Sequence, residues 1–266
     1  MRTDLHLAAL LASSLIALAG CADGPAPPAA ASTPAAIVAA ADRSPGDRAM
    51  DARRKPAELL GFIGVRSGMI ALDVAAGGGY TAELLARAIG PAGAVYGQSA
   101  PRKAAAGAAA ASAPPRTSAT ALAERERRLE AGHVAAAQLI AVQQRFEDPV
   151  PAALADGGLD LVTLVFNYHD FGHMGVDRAQ LNRALYKALK PGGVYVVVDH
   201  AGRPGTGISE SGTLHRVEES FVRAEVEAAG FKLVAAGDFL RNPADPRDAT
   251  TPPVPEDGFA LKFVRP

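Results

Sequence analysis

The sequence has one cysteine, little net charge and no apolar run of comfortable membrane-spanning length. Cys21 is the only cysteine among 266 residues, which excludes a disulfide within the chain and a zinc site built from several thiolates. A net charge of −1 and an isoelectric point near 6.6 argue against a general nucleic-acid-binding protein, because such a protein needs a basic surface to displace counterions from phosphates. We therefore expect a small-molecule partner and no nucleic acid.

The apolar run at the start covers residues 5–19. It is shorter than the ~20 residues of a membrane-spanning helix and has the length of a secretory signal core. It ends in Leu18-Ala19-Gly20-Cys21, which resembles a bacterial lipobox. The resemblance implies that Cys21 is lipidated and anchors the protein in the bacterial cell envelope, facing the periplasm or the exterior. The alternative is a soluble chain with a mispredicted start.

Composition divides the chain into a signal peptide at 1–21, an Ala/Pro-rich tether at 22–43 and one domain at 44–266, with an Ala-rich insertion near 102–122. Apolar runs in the domain alternate with amphipathic helical patterns. We expect strands at 70–74, 94–98, 138–142, 159–166, 194–198, 231–235 and 259–264, and helices from Pro56 and at 81–89, 122–136, 178–189 and 217–229. This alternation predicts an α/β fold, a doubly wound seven-stranded sheet with helices on both faces.

A glycine cluster follows the strand predicted at 70–74. Residues 72–80 read Leu-Asp-Val-Ala-Ala-Gly-Gly-Gly-Tyr, and glycines followed by a helix start allow a ligand to approach the backbone closely. The stretch resembles the first motif of class I S-adenosylmethionine-dependent methyltransferases, with alanine where that family commonly has its first glycine. The resemblance implies this Rossmann-like fold and S-adenosylmethionine as cofactor, bound by Asp73, Ala75, Gly77, Gly78, Gly79, Gln98 and Phe146.

Each of these assignments has a structural alternative. The glycine cluster can form a tight turn without a ligand, and Asp73 can accept amide hydrogen bonds at the start of the following helix. Gln98 replaces the acidic residue that commonly holds the ribose hydroxyls, which its amide can still bond. Phe146 can pack on adenine or belong to the core.

The run Asn167-Tyr168-His169-Asp170 follows the fourth predicted strand, where ligands bind in open α/β sheets. The resemblance implies that these residues face the methyl acceptor, and His169 is our candidate base for removing its proton. His169 and Asp170 could also form a metal site with His173 and Asp177, but their spacing matches no compact ligand pattern, so we predict no metal.

Two later phrases extend the resemblance. Residues 189–193, Leu-Lys-Pro-Gly-Gly, resemble a turn that precedes the fifth strand of these methyltransferases. Asp199-His200 and Leu214-His215-Arg216 resemble residues of uncharacterised predicted methyltransferases that carry a signal peptide, and this likeness covers the chain from Arg48 onward.

Three functions remain open at this stage. The first is transfer of a methyl group to a small molecule, by a protein anchored to the membrane through Cys21. The second is a noncatalytic, lipid-anchored binding module, which the departures at Ala75 and Gln98 favour. The third is a nicotinamide enzyme, because Gly77, Gly79 and Ala82 satisfy the loose G-x-G-x-x-A pattern.

Overall fold

A computed structural model describes residues 33–101 and 117–266. The predicted signal peptide, Cys21, tether residues 22–32 and most of the Ala-rich insertion lie outside these ranges. Within them, no helix is both long enough and apolar enough to cross a membrane.

Seven strands form one sheet in the order β3-β2-β1-β4-β5-β7-β6. They are β1 Ile70–Val74, β2 Ala94–Ser99, β3 Gln138–Gln143, β4 Leu159–Val165, β5 Leu189–His200, β6 Lys232–Gly237 and β7 Gly258–Val264. Strands β1 to β5 pair in parallel, and β7 runs antiparallel to both β5 and β6. This confirms the predicted doubly wound, seven-stranded α/β fold.

Eight helices accompany the sheet in the described ranges, with a short 3-10 turn at Ala152–Leu154. They are α1 Pro34–Ala39, α2 Pro45–Arg54, α3 Pro56–Ile63, α4 Tyr80–Ile89, α5 Ser118–Ala131, α6 Asp170–His173, α7 Arg178–Ala188 and α8 Glu219–Ala228. Alternate residues of the central strands belong to two separate apolar cores, since Leu72 packs with residues of α7 and α8 and Ala71 with residues of α3 and α4. Helices therefore cover both faces, as predicted.

The predicted tether is wrong for residues 34–43, which are part of the folded domain. Ile37 of α1 is buried, and the buried guanidinium of Arg43 bonds Asp51 at 2.6 and 2.8 Å. Ala/Pro-rich composition concealed two helix starts. Thr33 and Ser44 each precede a proline and accept a backbone amide three residues on, and this pairing of a capping side chain with proline is typical of a helix N-terminus.

Strand β5 begins at Leu189, five residues before its predicted start. Residues 189–193, predicted as a turn before this strand, lie within it as an irregularity, where the register with β4 shifts and Gly192 has a φ of 76°. Its neighbours also bond the end of the chain, since Gly192 N donates to Arg265 O and Arg265 N donates to Gly193 O. These pairs extend the ladder past the irregularity.

Buried ion pairs hold α2 against α4 and α5. The Arg125 guanidinium of α5 bonds Asp47 of α2 at 2.6 and 2.8 Å and Glu83 of α4 at 2.6 Å. All three side chains are at most 10% exposed. The network positions the C-terminal end of α2 beside the carboxyl ends of the parallel strands.

Candidate functional site

The loop between β1 and α4 has the left-handed backbone that its glycines predict. Values of φ are 55° at Ala75, 54° at Gly77 and 78° at Gly79. A Cβ on Gly79 would lie 2.8 Å from a methyl carbon of Leu122, whereas a Cβ on Gly78 would meet nothing within 4 Å. Gly79 is therefore required by packing, and Gly78 leaves an open approach to the backbone.

Three cavities lie along the carboxyl ends of the strands and share walls. The outer cavity, of about 450 Å³, and the middle cavity, of about 240 Å³, are both lined by Gly77, Gly78 and Arg125. The histidine cavity, of about 310 Å³, shares Arg54 with the middle one and is lined by His169, His200 and His215 among others. The glycine loop and the histidines thus line neighbouring cavities, and Arg54 belongs to the walls of the second and the third.

Asp73 lines the middle cavity and is 2% exposed. Burial raises the pKa of its carboxyl to about 7, against the opposing effects of the Thr163 hydroxyl, Arg54 and the Ala82 amide. Thr163 donates a hydrogen bond of 2.7 Å to Asp73. Asp73 therefore lines the cavity and accepts from the first turn of α4, and its contact with the cofactor stays a prediction.

Gln98 is buried completely and does not line a cavity. Its Oε1 accepts from Ala75 N at 3.0 Å, and its Nε2 donates to Gln144 O at 2.7 Å. Since successive strand residues point to opposite faces, the neighbouring Ser99 lines the outer cavity instead. Gln98 therefore fixes the glycine loop, and Ser99 has the cavity-lining position at the end of β2.

Phe146 packs into the core rather than lining the outer cavity. Its ring centroid lies 4.7 Å from that of Phe171, and the half-buried ring packs against the apolar core that includes residues of α7 and α8. The core alternative describes this residue, and the predicted adenine contact is not supported. Gln143, at the end of β3, lines the cavity instead.

His169 is held by a fully buried carboxylate, Asp199. Asp199 Oδ1 lies 2.6 Å from His169 Nδ1, and Asp199 Oδ2 accepts from the His169 amide at 2.8 Å. Burial lowers the pKa of His169, but the charge and hydrogen bond of Asp199 outweigh it and leave the pKa raised. A carboxylate only accepts, so Nδ1 carries a hydrogen, and Nε2 is the ring nitrogen that faces Asp170.

Asp170 joins His169 to a second histidine. Asp170 Oδ1 lies 3.2 Å from His169 Nε2 and 3.0 Å from His215 Nδ1. His173 lies farther out, with its Nδ1 3.0 Å from Ser211 Oγ, while Asp177 caps α7 by accepting from Gln180 N at 2.8 Å. The alternative metal set of His169, Asp170, His173 and Asp177, which we set aside on spacing, is therefore not brought together as a unit.

Tyr168 and Asn167 take opposite directions. Tyr168 is buried completely and donates to Glu225 Oε2 at 2.8 Å, so its predicted role facing an acceptor is wrong. The chain turns between Tyr168 and His169, which sends one side chain into the core and the next into the cavity. Asn167 lines the middle cavity and donates to Val165 O at 3.0 Å.

Sequence reasoning missed Arg54, which lies at the end of α2. Its guanidinium carbon lies 4.9 Å from the Tyr80 ring centroid and 5.2 Å from that of Phe166. No carboxylate pairs with it in the described part of the chain, its Nε is buried without a hydrogen-bond partner, and burial lowers its pKa. The Ser44-Pro45 start of α2 was the available signal for this helix.

His200 also completes the site. Its ring stacks on Phe166 with centroids 4.8 Å apart, and its Nδ1 lies 3.3 Å from Glu256 Oε2. Burial lowers the pKa of His200. The sequence placed Asp199 and His200 at a strand end, which locates both correctly, but it gave no sign that Asp199 holds His169.

Comparisons with protein-family models and with curated proteins find no match. Among solved structures, a SAM-dependent methyltransferase from Aquifex aeolicus is 16% identical with a TM-score of 0.56, and the match covers 82% of this chain and 93% of that one. An arsenic(III) S-adenosylmethionine methyltransferase from Chlamydomonas reinhardtii is 18% identical with a TM-score of 0.51, over 74% and 63% of the two chains. The [4+2]-cyclase SpnF is 15% identical with a TM-score of 0.53, over 83% and 80%.

Such identities concern the fold alone, and the cyclase shows that proteins of this fold differ in chemistry, so function has to be argued from the site. The chain has the Rossmann-like fold of class I S-adenosylmethionine-dependent methyltransferases.

Proposed function

We propose that this protein transfers a methyl group from S-adenosylmethionine to a small molecule. The observation that carries the proposal is the row of three cavities, in which Gly77 and Gly78 line the first two and Arg54 joins the second to the third. A cofactor lying over the glycine loop would have its reactive end beside the histidine cavity. That cavity, of about 310 Å³, suits a small acceptor.

The residues of the loop fit this cofactor. Gly78 has open space where a Cβ would stand, and the buried Asp73 carboxyl lines the middle cavity, where it would hold the amino group. Ser99 would bond the ribose from the outer cavity. When bound, the cofactor supplies an electrophilic methyl group for an in-line displacement, a reaction in which positioning provides most of the acceleration.

The acceptor would lie in the histidine cavity. An oxygen or nitrogen acceptor has to lose its proton, and His169, which lines that cavity, can accept it at Nε2 when the ring is neutral. Asp199 positions the ring through Nδ1 and stabilises the positive charge that the ring gains. His169 is therefore the proton-accepting residue, and Asp199 is its positioning residue.

Calorimetric titration of the full chain with S-adenosylmethionine and its demethylated product tests the proposal, with NAD as the control ligand. We expect micromolar binding of the first two and none of NAD, and loss of binding in Asp73→Ala and Gly77→Val. Binding of NAD alone would favour the nicotinamide enzyme. Absence of all three would favour the noncatalytic binding module.

We also propose that Cys21 is lipidated and anchors the domain to the bacterial cell envelope. The lipobox-like sequence before Cys21 supports this, with small residues at the cleavage position. Membrane fractionation of the wild type and Cys21→Ser is the test. The wild type should sediment with membranes and the variant should not. Equal membrane association of the two proteins would overturn the anchor.

A further inference from the structure

Four of the chain's six histidines lie near Asp170, namely His169, His173, His200 and His215. The Nε2 of His169, the Oδ1 of Asp170 and the Nδ1 of His215 all lie within 4.8 Å of one another. His215 follows Asp170 by 45 residues, so sequence spacing gave no sign of the cluster. Two imidazoles and one carboxylate that converge in this way form a common type of metal-ligand set.

His169 and Asp170 present two metal-binding atom types to the same space. Asp199 accepts the hydrogen of His169 Nδ1 at 2.6 Å, so neutral His169 presents a lone pair at Nε2. That lone pair lies 3.2 Å from Asp170 Oδ1, which is itself an acceptor. Two acceptors at this distance repel each other unless a proton or a metal ion lies between them.

The surrounding structure fixes both histidines. A buried carboxylate on the far nitrogen of a ligating histidine orients the ring and raises its basicity, and Asp199 has that position relative to His169. His215 has a φ of 53°, a left-handed conformation that costs a non-glycine residue of order 1 kcal/mol or more. Its ring centroid lies 5.6 Å from that of His169.

We propose that His169, Asp170 and His215 bind one divalent transition-metal ion of the zinc class. Three protein ligands leave a coordination position for water or a substrate atom, and the histidine cavity provides the space for it. His173 lies outside the group of ligand atoms that converge, and its Nδ1 lies 3.0 Å from Ser211 Oγ. The site is distinct from the cofactor residues and does not depend on methyl transfer.

The ion and the proton use the same atom, His169 Nε2. The ion-free and ion-bound proteins are therefore two states of one cluster, and His169 can accept an acceptor's proton only in the ion-free state. In the ion-bound state an oxygen ligand would be ionised by the metal, which lowers the pKa of groups bound to it.

The test is titration of the chelator-treated full chain with Zn²⁺ by calorimetry and with Co²⁺ by visible absorption. A Cys21→Ser background removes the only thiol. We expect one ion per chain, and an affinity loss of at least about tenfold in His215→Ala and Asp170→Asn and of about 10–100-fold in Asp199→Asn. The matched control is His133→Ala, since His133 is exposed and also has a positive φ, of 50°.

Absence of saturable binding, or equal affinities of His215→Ala and His133→Ala, would overturn the proposal. Circular dichroism of each variant shows whether it is folded, and Asp170→Asn serves if His215→Ala is not. S-adenosylmethionine titration of the same chelator-treated samples is independent of the ion. A failed metal site with intact cofactor binding, or the reverse, therefore separates this inference from the proposed function.

Discussion

At the end of β1, one buried carboxyl is stabilised only by a hydroxyl, a backbone amide and one distant arginine. Asp73 receives its hydrogen bond from Thr163, and Arg54 acts on it only through space. Such a group is costly to ionise inside a protein. Because Asp73 lines the middle cavity, a cationic ligand bound there would stabilise the ionised carboxylate, which the protein itself stabilises only weakly.

This burial predicts a pH-dependent stability. The pKa of Asp73 is about 7 in the folded protein and near 3.8 when unfolded, so the folded state binds more protons between these values. The free energy of unfolding should therefore fall as pH rises through this window, by up to about 4 kcal/mol at 1.36 kcal/mol per unit. The stability difference between wild type and Asp73→Asn, from denaturant titrations at pH 4.5 and 8, measures it. A pH-independent difference would contradict the assignment.

The adjacent glycines Gly78 and Gly79 allow packing and ligand approach to be separated. In Gly79→Ala the new methyl meets Leu122 at 2.8 Å in a left-handed backbone, so a loss of about 2–4 kcal/mol is expected. Gly78→Ala should change stability by less than about 1 kcal/mol and weaken S-adenosylmethionine binding, since its methyl enters the cavity. Thermal unfolding and calorimetry of the pair test this. Similar stability of the two variants would contradict the geometry.

Among the elements, the strands were readable from sequence and the N-terminal helices were not. Continuous apolar residues predicted β1 and β4 because strands buried on both faces need no polar alternation. The hydrophobic pattern does not predict the direction in which an individual side chain points. A shift of one residue decides which member of a neighbouring pair lines a cavity, as for Gln98 and Ser99 or Tyr168 and His169. Asp199 contacts His169 although the two lie 30 residues apart in sequence.

Buried ion pairs hold helix α2 in place, so we predict a large loss of stability when one of the charges is removed. Arg125→Met would leave Asp47 buried without its guanidinium, so a loss of about 3–5 kcal/mol is expected. The control is Arg223→Met, because Arg223 is 53% exposed in its pair with Glu227 and such pairs contribute about 0–1 kcal/mol. Urea unfolding measures both. Comparable losses would show that the buried network is dispensable.

For the whole molecule, the order of strands decides where the site lies. The order in which strands are added to the sheet reverses between β1 and β4. The ends of these two strands provide Asp73 and Asn167 to the middle cavity. In open α/β sheets such a switch point opens a crevice for ligands. The glycine loop lies on one side of it, and the histidine cluster after β4 and β5 lies on the other.

Ligand binding at this crevice should stabilise the entire domain. S-adenosylmethionine at a hundredfold excess over its Kd adds about 2.7 kcal/mol, seen as a higher Tm. Tyr168→Phe should keep this increment while losing about 1 kcal/mol of basal stability, because its hydroxyl bonds Glu225 in the core. Gly77→Val should lose the increment. If Tyr168→Phe loses the stabilisation by S-adenosylmethionine, Tyr168 takes part in ligand binding after all.

Arg54 forms part of the wall of both the middle cavity and the histidine cavity. A ligand bound in either cavity restricts the Arg54 side chain. A ligand that then binds in the other cavity contacts a guanidinium whose position is already fixed. We expect the two ligands to alter each other's affinity, and thermodynamic reciprocity makes the factor equal in both directions. One arginine at a shared wall thus makes the two binding events cooperative.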